Sequence, residues 1–139
     1  MTMTVTPRPT GHPGYSETLP CDPRSASAAR RLVRVALAVW GLPELAGDAG
    51  LVVTELVANA ARHARGRPVR VAVERPAANR VRVSVADGSK VPPEPRQPRA
   101  DDERGRGLVL VNALAAGWGT EPLATGKRVW AELDGGRRG

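Results

Sequence analysis

The stretch "ELVANAARHA", residues 55–64, reads as helix throughout, yet it sets Glu55 and Asn59 one turn apart among leucine, valine and alanine. At about 100° per residue, Ala49, Val53, Leu56, Ala60 and Ala64 fall on one arc of a helix expected from about Leu45 to Ala64. Glu55 and Asn59 border that arc, and Arg62 continues their row outward. A carboxylate and an amide so placed are neither core nor plainly exposed. They can line a cavity beside the core.

Upstream, Asp22-Pro23 is a helix start, with Asp as N-cap and Pro at the first helical position. The helix behind it buries Ala29, Leu32, Val33, Ala36, Leu37 and Trp40 at helical spacing and ends at Gly41 and Pro43. Tyr15 to Leu19 suits a short edge strand. Downstream, "VRVAVE" (69–74) and "RVRVSVAD" (80–87) alternate strictly, with Val69, Val71 and Val73, then Val81, Val83 and Val85, on one face. Pro76 to Asn79 suits the hairpin turn between them. A Pro-rich, charged segment follows, too long and polar for an ordinary connection. Leu108 to Ala116 is expected as a third helix, and "WGTEPLATGKRVWAEL" as two strands around a glycine turn. The expected fold is therefore an α/β (α+β) two-layer sandwich, a mostly antiparallel sheet covered on one face by about three helices. Arg70, Arg82, Ser84 and Trp130 would occupy the other face. Residues 1–14 read as a disordered leader, 15–133 as the domain and 134–139 as a frayed tail.

Composition removes several classes of function. No apolar run is long enough to span a bilayer, and the N-terminal stretch lacks the apolar core of a secretory signal, so a cytoplasmic protein is expected. Cys21 is the sole cysteine, which excludes an internal disulfide. The net charge of +7 comes almost wholly from scattered arginines, as coding at high GC content would give. With no Phe and one Tyr there is no aromatic platform for stacking bases, and direct nucleic-acid binding is not expected.

Three polar or glycine-rich elements remain. Glu55 with Asn59 is the first. "VADGS" is the second, with Asp87 ending an apolar strand and Gly88 allowing a sharp turn. "GRGL" (105–108) is the third, at the start of a helix, where backbone N–H groups and the helix dipole favour phosphate. An amide oxygen such as Asn59's suits Mg²⁺, and a nearby carboxylate can orient or deprotonate an attacking hydroxyl. Asp87 can accept from an exocyclic amine. Singly, each element has an ordinary explanation as a polar helix edge, a turn or a loop end. Only the set points to a site.

In this order, the three elements resemble the GHKL ATP-binding superfamily: "ExxxN" its N-box, "DGS" its first glycine box and "GRGL" its second. "ELVANAARHA", "GRGLVLVNALAAGWG" and "GKRVWAEL" are similar to the small stand-alone branch of anti-sigma-factor serine/threonine kinases abundant in actinomycetes. The resemblance spans about residues 15–133 and implies a Bergerat-type ATP-binding fold. It implies that Asn59 is the Mg²⁺ ligand and Glu55 the catalytic base or water-positioning carboxylate. Asp87 would contact the adenine amine and Gly88 would shape the pocket floor. Arg62 would reach a phosphate, with His63 near the base or ribose. Lys90 to Arg104 would form the lid, with Gly105, Arg106, Gly107 and Leu108 on the phosphates. Two positions depart from the pattern. Lys90 replaces a second glycine in the first glycine box. Lys127, also expected at the ATP site, replaces a threonine for which Thr125 could partly substitute.

The activity implied is transfer of the ATP γ-phosphate to a serine or threonine of an anti-anti-sigma partner, with control of a sigma factor and a possible homodimer. The alternative is an ATP-binding interaction module that transfers little and uses its lid to gate a partner.

Overall fold

The first long helix starts later than the expected Asp22 cap and Pro23 first position, behind Ser25, which makes no side-chain cap bond. In the computed structural model, which describes residues 4–5, 13–63, 67–88 and 103–135, Asp22 accepts the Arg24 backbone N–H at 2.8 Å and starts a short 3₁₀ turn. Helix α1 (Ala26–Val39) follows. It ends in a Schellman motif: Leu42 N–H reaches the Leu37 carbonyl and Gly41 N–H that of Ala38, with Gly41 at φ 71°. Ala29, Leu32, Val33, Ala36 and Leu37 are wholly buried. Truncating a leucine in such a stripe to alanine costs about 2–5 kcal/mol. Trp40 packs at the rim of this core, its ring centroid 5.6 Å from that of Tyr15.

Helix α2 (Ala46–His63) packs beside α1 and carries Glu44, just ahead of it, and Asp48 near its positive end, where the dipole favours acids. The arc expected from the sequence is buried as far as Ala60: Ala49, Val53, Leu56 and Ala60 are each at most 1% exposed, and Ala64 lies outside the described residues.

The strands are β1 (Thr4–Val5), β2 (Gly14–Leu19), β3 (Val69–Ala77), β4 (Arg80–Asp87), β5 (Gly117–Leu123) and β6 (Gly126–Asp134). They form one sheet in the order β1-β2-β3-β4-β6-β5, every pair antiparallel. Two residues of the stretch read as leader, Thr4 and Val5, thus pair with β2. Strand β3 runs past the expected turn through Pro76, and the ladder slips between Glu74 and Ala77 to accommodate it. Val71, Val73, Val81, Val83, Val85, Val129, Ala131 and Leu133 face the helices and are buried. The opposite face carries Arg70, Ser84, Arg82 and Trp130. There the Arg82 guanidinium lies 4.5 Å from the Trp130 ring centroid and pairs with Glu132 at 2.8 Å.

Helix α3 spans Glu103–Leu114, not Leu108–Ala116. Gly105 and Gly107 therefore lie inside its first turns and not ahead of them. This is the two-layer α+β arrangement expected, with about three helices on one sheet face. No helix among the described residues is long and apolar enough to cross a membrane.

Candidate functional site

The two layers share a direction that decides which motifs meet. Leu45, just before α2, and Asp48, in its first turn, line a cleft of about 200 Å³ with Ala113 to Ala116, across and just past the end of α3, and with Leu133 and Asp134 at the end of β6. Helix α2 is 18 residues long and β6 is nine, so each runs roughly 27–30 Å across the domain. The second half of α2, with Glu55 and Asn59, thus heads toward the start of β6. Strand β4 runs antiparallel to β6, which puts Asp87 opposite Lys127 at that same end. Helix α3 packs on α2 and has its C-terminus at the cleft, so its N-terminal half, with "GRGL" in the first two turns, lies toward the far end. Three motifs separated by up to fifty residues of sequence therefore share one end of the sandwich.

Within it, Asn59 is 2% exposed, deeper than the border position its spacing implies. Its Oδ1 accepts one long hydrogen bond, 3.3 Å, from Arg62 Nη2, and its Nδ2 has no partner. Glu55, one turn earlier, is half-buried, and among the described residues it makes no hydrogen bond or ion pair. A buried amide with an open hydrogen-bonding atom beside an uncommitted carboxylate fits an oxygen-rich ligand. A Mg²⁺ ion held through the Asn59 amide oxygen would take its other ligands from phosphate and water. Among the described residues no group of three His, Cys, Asp or Glu is placed to hold a metal.

The base of the site is a second buried pair. Lys127 Nζ lies 3.1 Å from each Asp87 oxygen, with hydrogen-bond geometry to Oδ1 and a charge contact to Oδ2. Their side chains are 3% and 1% exposed. Glycine is required beside them. A Cβ on Gly126 would overlap the Asp87 carbonyl oxygen and lie 2.8 Å from both Asp87 C and Gly88 Cα. Arg67, which sequence reasoning missed, covers Gly88: its Nη1 donates to the Gly88 carbonyl at 3.4 Å. The opposite end of the sheet, beside the cleft, is charged too. There a hydrogen bond and the negative charge of Asp134 raise the Arg80 guanidinium above its ordinary value.

The other expected site residues lie partly or wholly outside the described residues. His63 closes α2, and Gly105, Arg106, Gly107 and Leu108 are helical in α3, but their side chains are outside the description. Of the expected lid, residues 90–102 are outside it altogether. Thr125 sits exposed in the β5–β6 turn, while Lys127 is buried. The Asp87–Lys127 contact was missed from sequence. Its only signal was that "VAD" and "GKRV" would be cross-strand neighbours.

The model of the histidine kinase-like ATPase domain family matches residues 19–130. Among solved structures, the chain is similar to the histidine kinase domain of a blue-light activated histidine kinase from Erythrobacter litoralis, with 22% identity and a TM-score of 0.48. That likeness covers 81% of this chain and 62% of the other, so the chain spans less than two thirds of that protein's length. No curated protein matches.

Proposed function

The chain belongs to the histidine kinase-like ATPase domain family, and from that premise we propose that it is an ATP-dependent protein serine/threonine kinase of the anti-sigma-factor kind. The domain would run from residue 15 to 133 and act in the cytoplasm. One observation carries the reading: the buried Asn59 amide, with its unpartnered Nδ2, stands beside a Glu55 carboxylate that has no protein partner among the described residues. An unsatisfied buried amide N–H costs about 1–3 kcal/mol, and a phosphate oxygen that accepts from Nδ2, beside a cation on Oδ1, would account for its retention.

In this reading Asn59 Oδ1 would hold Mg²⁺, and Arg62, which donates to that oxygen, would turn to a phosphate. Bound there, Mg²⁺ supplies neutralisation of charge on the transferring phosphoryl group. Asp87 accepts the adenine amine, with Gly88 and Lys127 around the base and His63 near it. The first turn of α3, whose free N–H groups include that of Gly105, turns its positive dipole to the phosphates, with Arg106, Gly107 and Leu108 behind it. Glu55 orients the attacking hydroxyl of a partner's serine or threonine and accepts its proton, so that the γ-phosphate passes to that oxygen and ADP leaves. The partner is an anti-anti-sigma protein, and a sigma factor is held or released according to its phosphorylation. A homodimer is part of the same proposal.

The test is calorimetric titration of ATP with and without Mg²⁺. Wild type should bind ATP more tightly with Mg²⁺ present, and Asn59→Ala should remove that dependence. Absence of binding up to millimolar ATP would sink the reading. Binding without transfer to any serine-bearing acceptor would favour the nucleotide-gated interaction module.

A further inference from the structure

Lys127 is the polar group that the site leaves least explained. The resemblance calls for a short hydroxyl at this position, and the structure holds instead an ammonium group, 3% exposed, at the first rungs of β6. An ammonium has three N–H donors and a carboxylate about four lone-pair sites. Asp87 is the hydrogen-bond and ion-pair partner of Lys127 among the described residues, and it can engage at most two of those N–H groups. One donor on a buried cation is left over. The pair is neutral as a unit, so an uncharged ring can lie against it without meeting a net buried charge. What it offers such a ring is an acceptor and a donor side by side, about 3 Å apart by the ion-pair distance itself.

The exposed edge of adenine carries the complementary order: the exocyclic amine donates and ring nitrogen N1, next to it, accepts. We propose that Lys127 is a specificity-determining residue that donates to N1 while Asp87 accepts from the amine, so that the base is read on two adjacent atoms by one salt bridge. This rests on the proposal that the Asp87 end of the sandwich binds ATP. It adds a contact that a threonine is too short to make directly, and it gives the buried lysine a reason to stay. Gly126 keeps the pair in place, because its lack of a side chain lets β6 press against the Asp87–Gly88 backbone.

The experiment compares ATP with 1-deaza-ATP, which has carbon in place of N1, and with purine riboside triphosphate, which lacks the amine. A hydrogen bond from a charged donor is worth about 1.5–3 kcal/mol, so wild type should bind 1-deaza-ATP at least tenfold more weakly than ATP. In Lys127→Met the two should bind within about twofold of each other. Loss of the amine should weaken binding in wild type and in Lys127→Met alike, because Asp87 reads it in both. Equal binding of ATP and 1-deaza-ATP by wild type overturns the inference while leaving the ATP site standing, and that comparison needs no variant to fold. An undiminished preference for ATP in a folded Lys127→Met, checked by its melting curve, overturns it too. If wild type binds neither nucleotide, the ATP-site reading falls and this inference falls with it.

Discussion

Two substitutions of the same kind, Gly126→Ala and Gly47→Ala, should move stability in opposite directions. Gly126 does not have a positive φ, so only space decides its fate. A Cβ there meets backbone on the neighbouring strand, lying 2.8 Å from Asp87 C and from Gly88 Cα. Ordinary contact needs 3.4 Å or more, and no flexible side-chain end is available to yield. Strand β6 must separate from β4 at the rung where Lys127 faces Asp87. Overpacking of this kind costs about 1–3 kcal/mol, and loosening a buried ion pair adds to it, for a total of roughly 2–4 kcal/mol. For a domain of this size the melting temperature should fall by about 6–15 °C. At Gly47, inside α2, a Cβ meets nothing within 4 Å. Alanine there should stabilise by about 0.5–1 kcal/mol, raising the melting temperature by about 2–4 °C. Thermal unfolding followed by circular dichroism reads both. A Gly126→Ala protein melting within about 2 °C of wild type would refute the close approach of β6 to the Asp87–Gly88 turn.

Glu55→Gln should leave ATP affinity within about threefold of wild type and lower phosphate transfer by about 10²–10⁴-fold, measured with γ-labelled ATP and a serine-bearing acceptor. Equal loss of affinity and rate would assign Glu55 to binding alone. Lys127→Met, which leaves the Asp87 carboxylate buried without its counter-charge, should destabilise by about 3–5 kcal/mol, whereas Asp87→Leu/Lys127→Met should recover most of that loss in urea titration. Strictly additive effects would mean that the pair does not interact.

The parts of the fold legible in the sequence were those decided within a few residues. Strand β4 coincides with "RVRVSVAD" because alternation exposes its period directly, and Val81, Val83 and Val85 are all buried. The C-terminal boundary of α1 followed from Gly41, whose capping chemistry is local, whereas Asp22 starts only a 3₁₀ turn and α1 itself begins at Ala26, behind Ser25. The start of α3 was placed five residues late because two glycines, each costing a helix about 1 kcal/mol, read as loop. The candidate site was legible as a list of residues and not as an arrangement. Asn59 was placed at the edge of the core, but α2 is flanked by both α1 and α3, and the amide ends up buried. Lys127 read as a departure from a pattern, because its partner lies 40 residues away and only the β4–β6 ladder brings the two together.

The burial of Asn59 separates what the fold needs from what a ligand needs. In a helix position packed this tightly an apolar residue of the same shape would be the stabilising choice. Asn59→Leu is nearly isosteric and removes the unpartnered Nδ2, recovering about 1–3 kcal/mol of desolvation cost. It also gives up the 3.3 Å bond from Arg62, a partly buried contact at the long end of the useful range, for which about 0.5–1 kcal/mol is a fair loss. The balance favours leucine by about 0.5–2 kcal/mol, or roughly 2–8 °C in melting temperature. The same change should abolish the Mg²⁺-dependent part of ATP binding, because no oxygen remains at that position. A residue that costs stability and is indispensable for binding is the mark of a site kept for its ligand. If Asn59→Leu instead melts well below wild type, the amide is satisfied by structure of its own, and the argument for an oxygen-ligand site at α2 loses its footing.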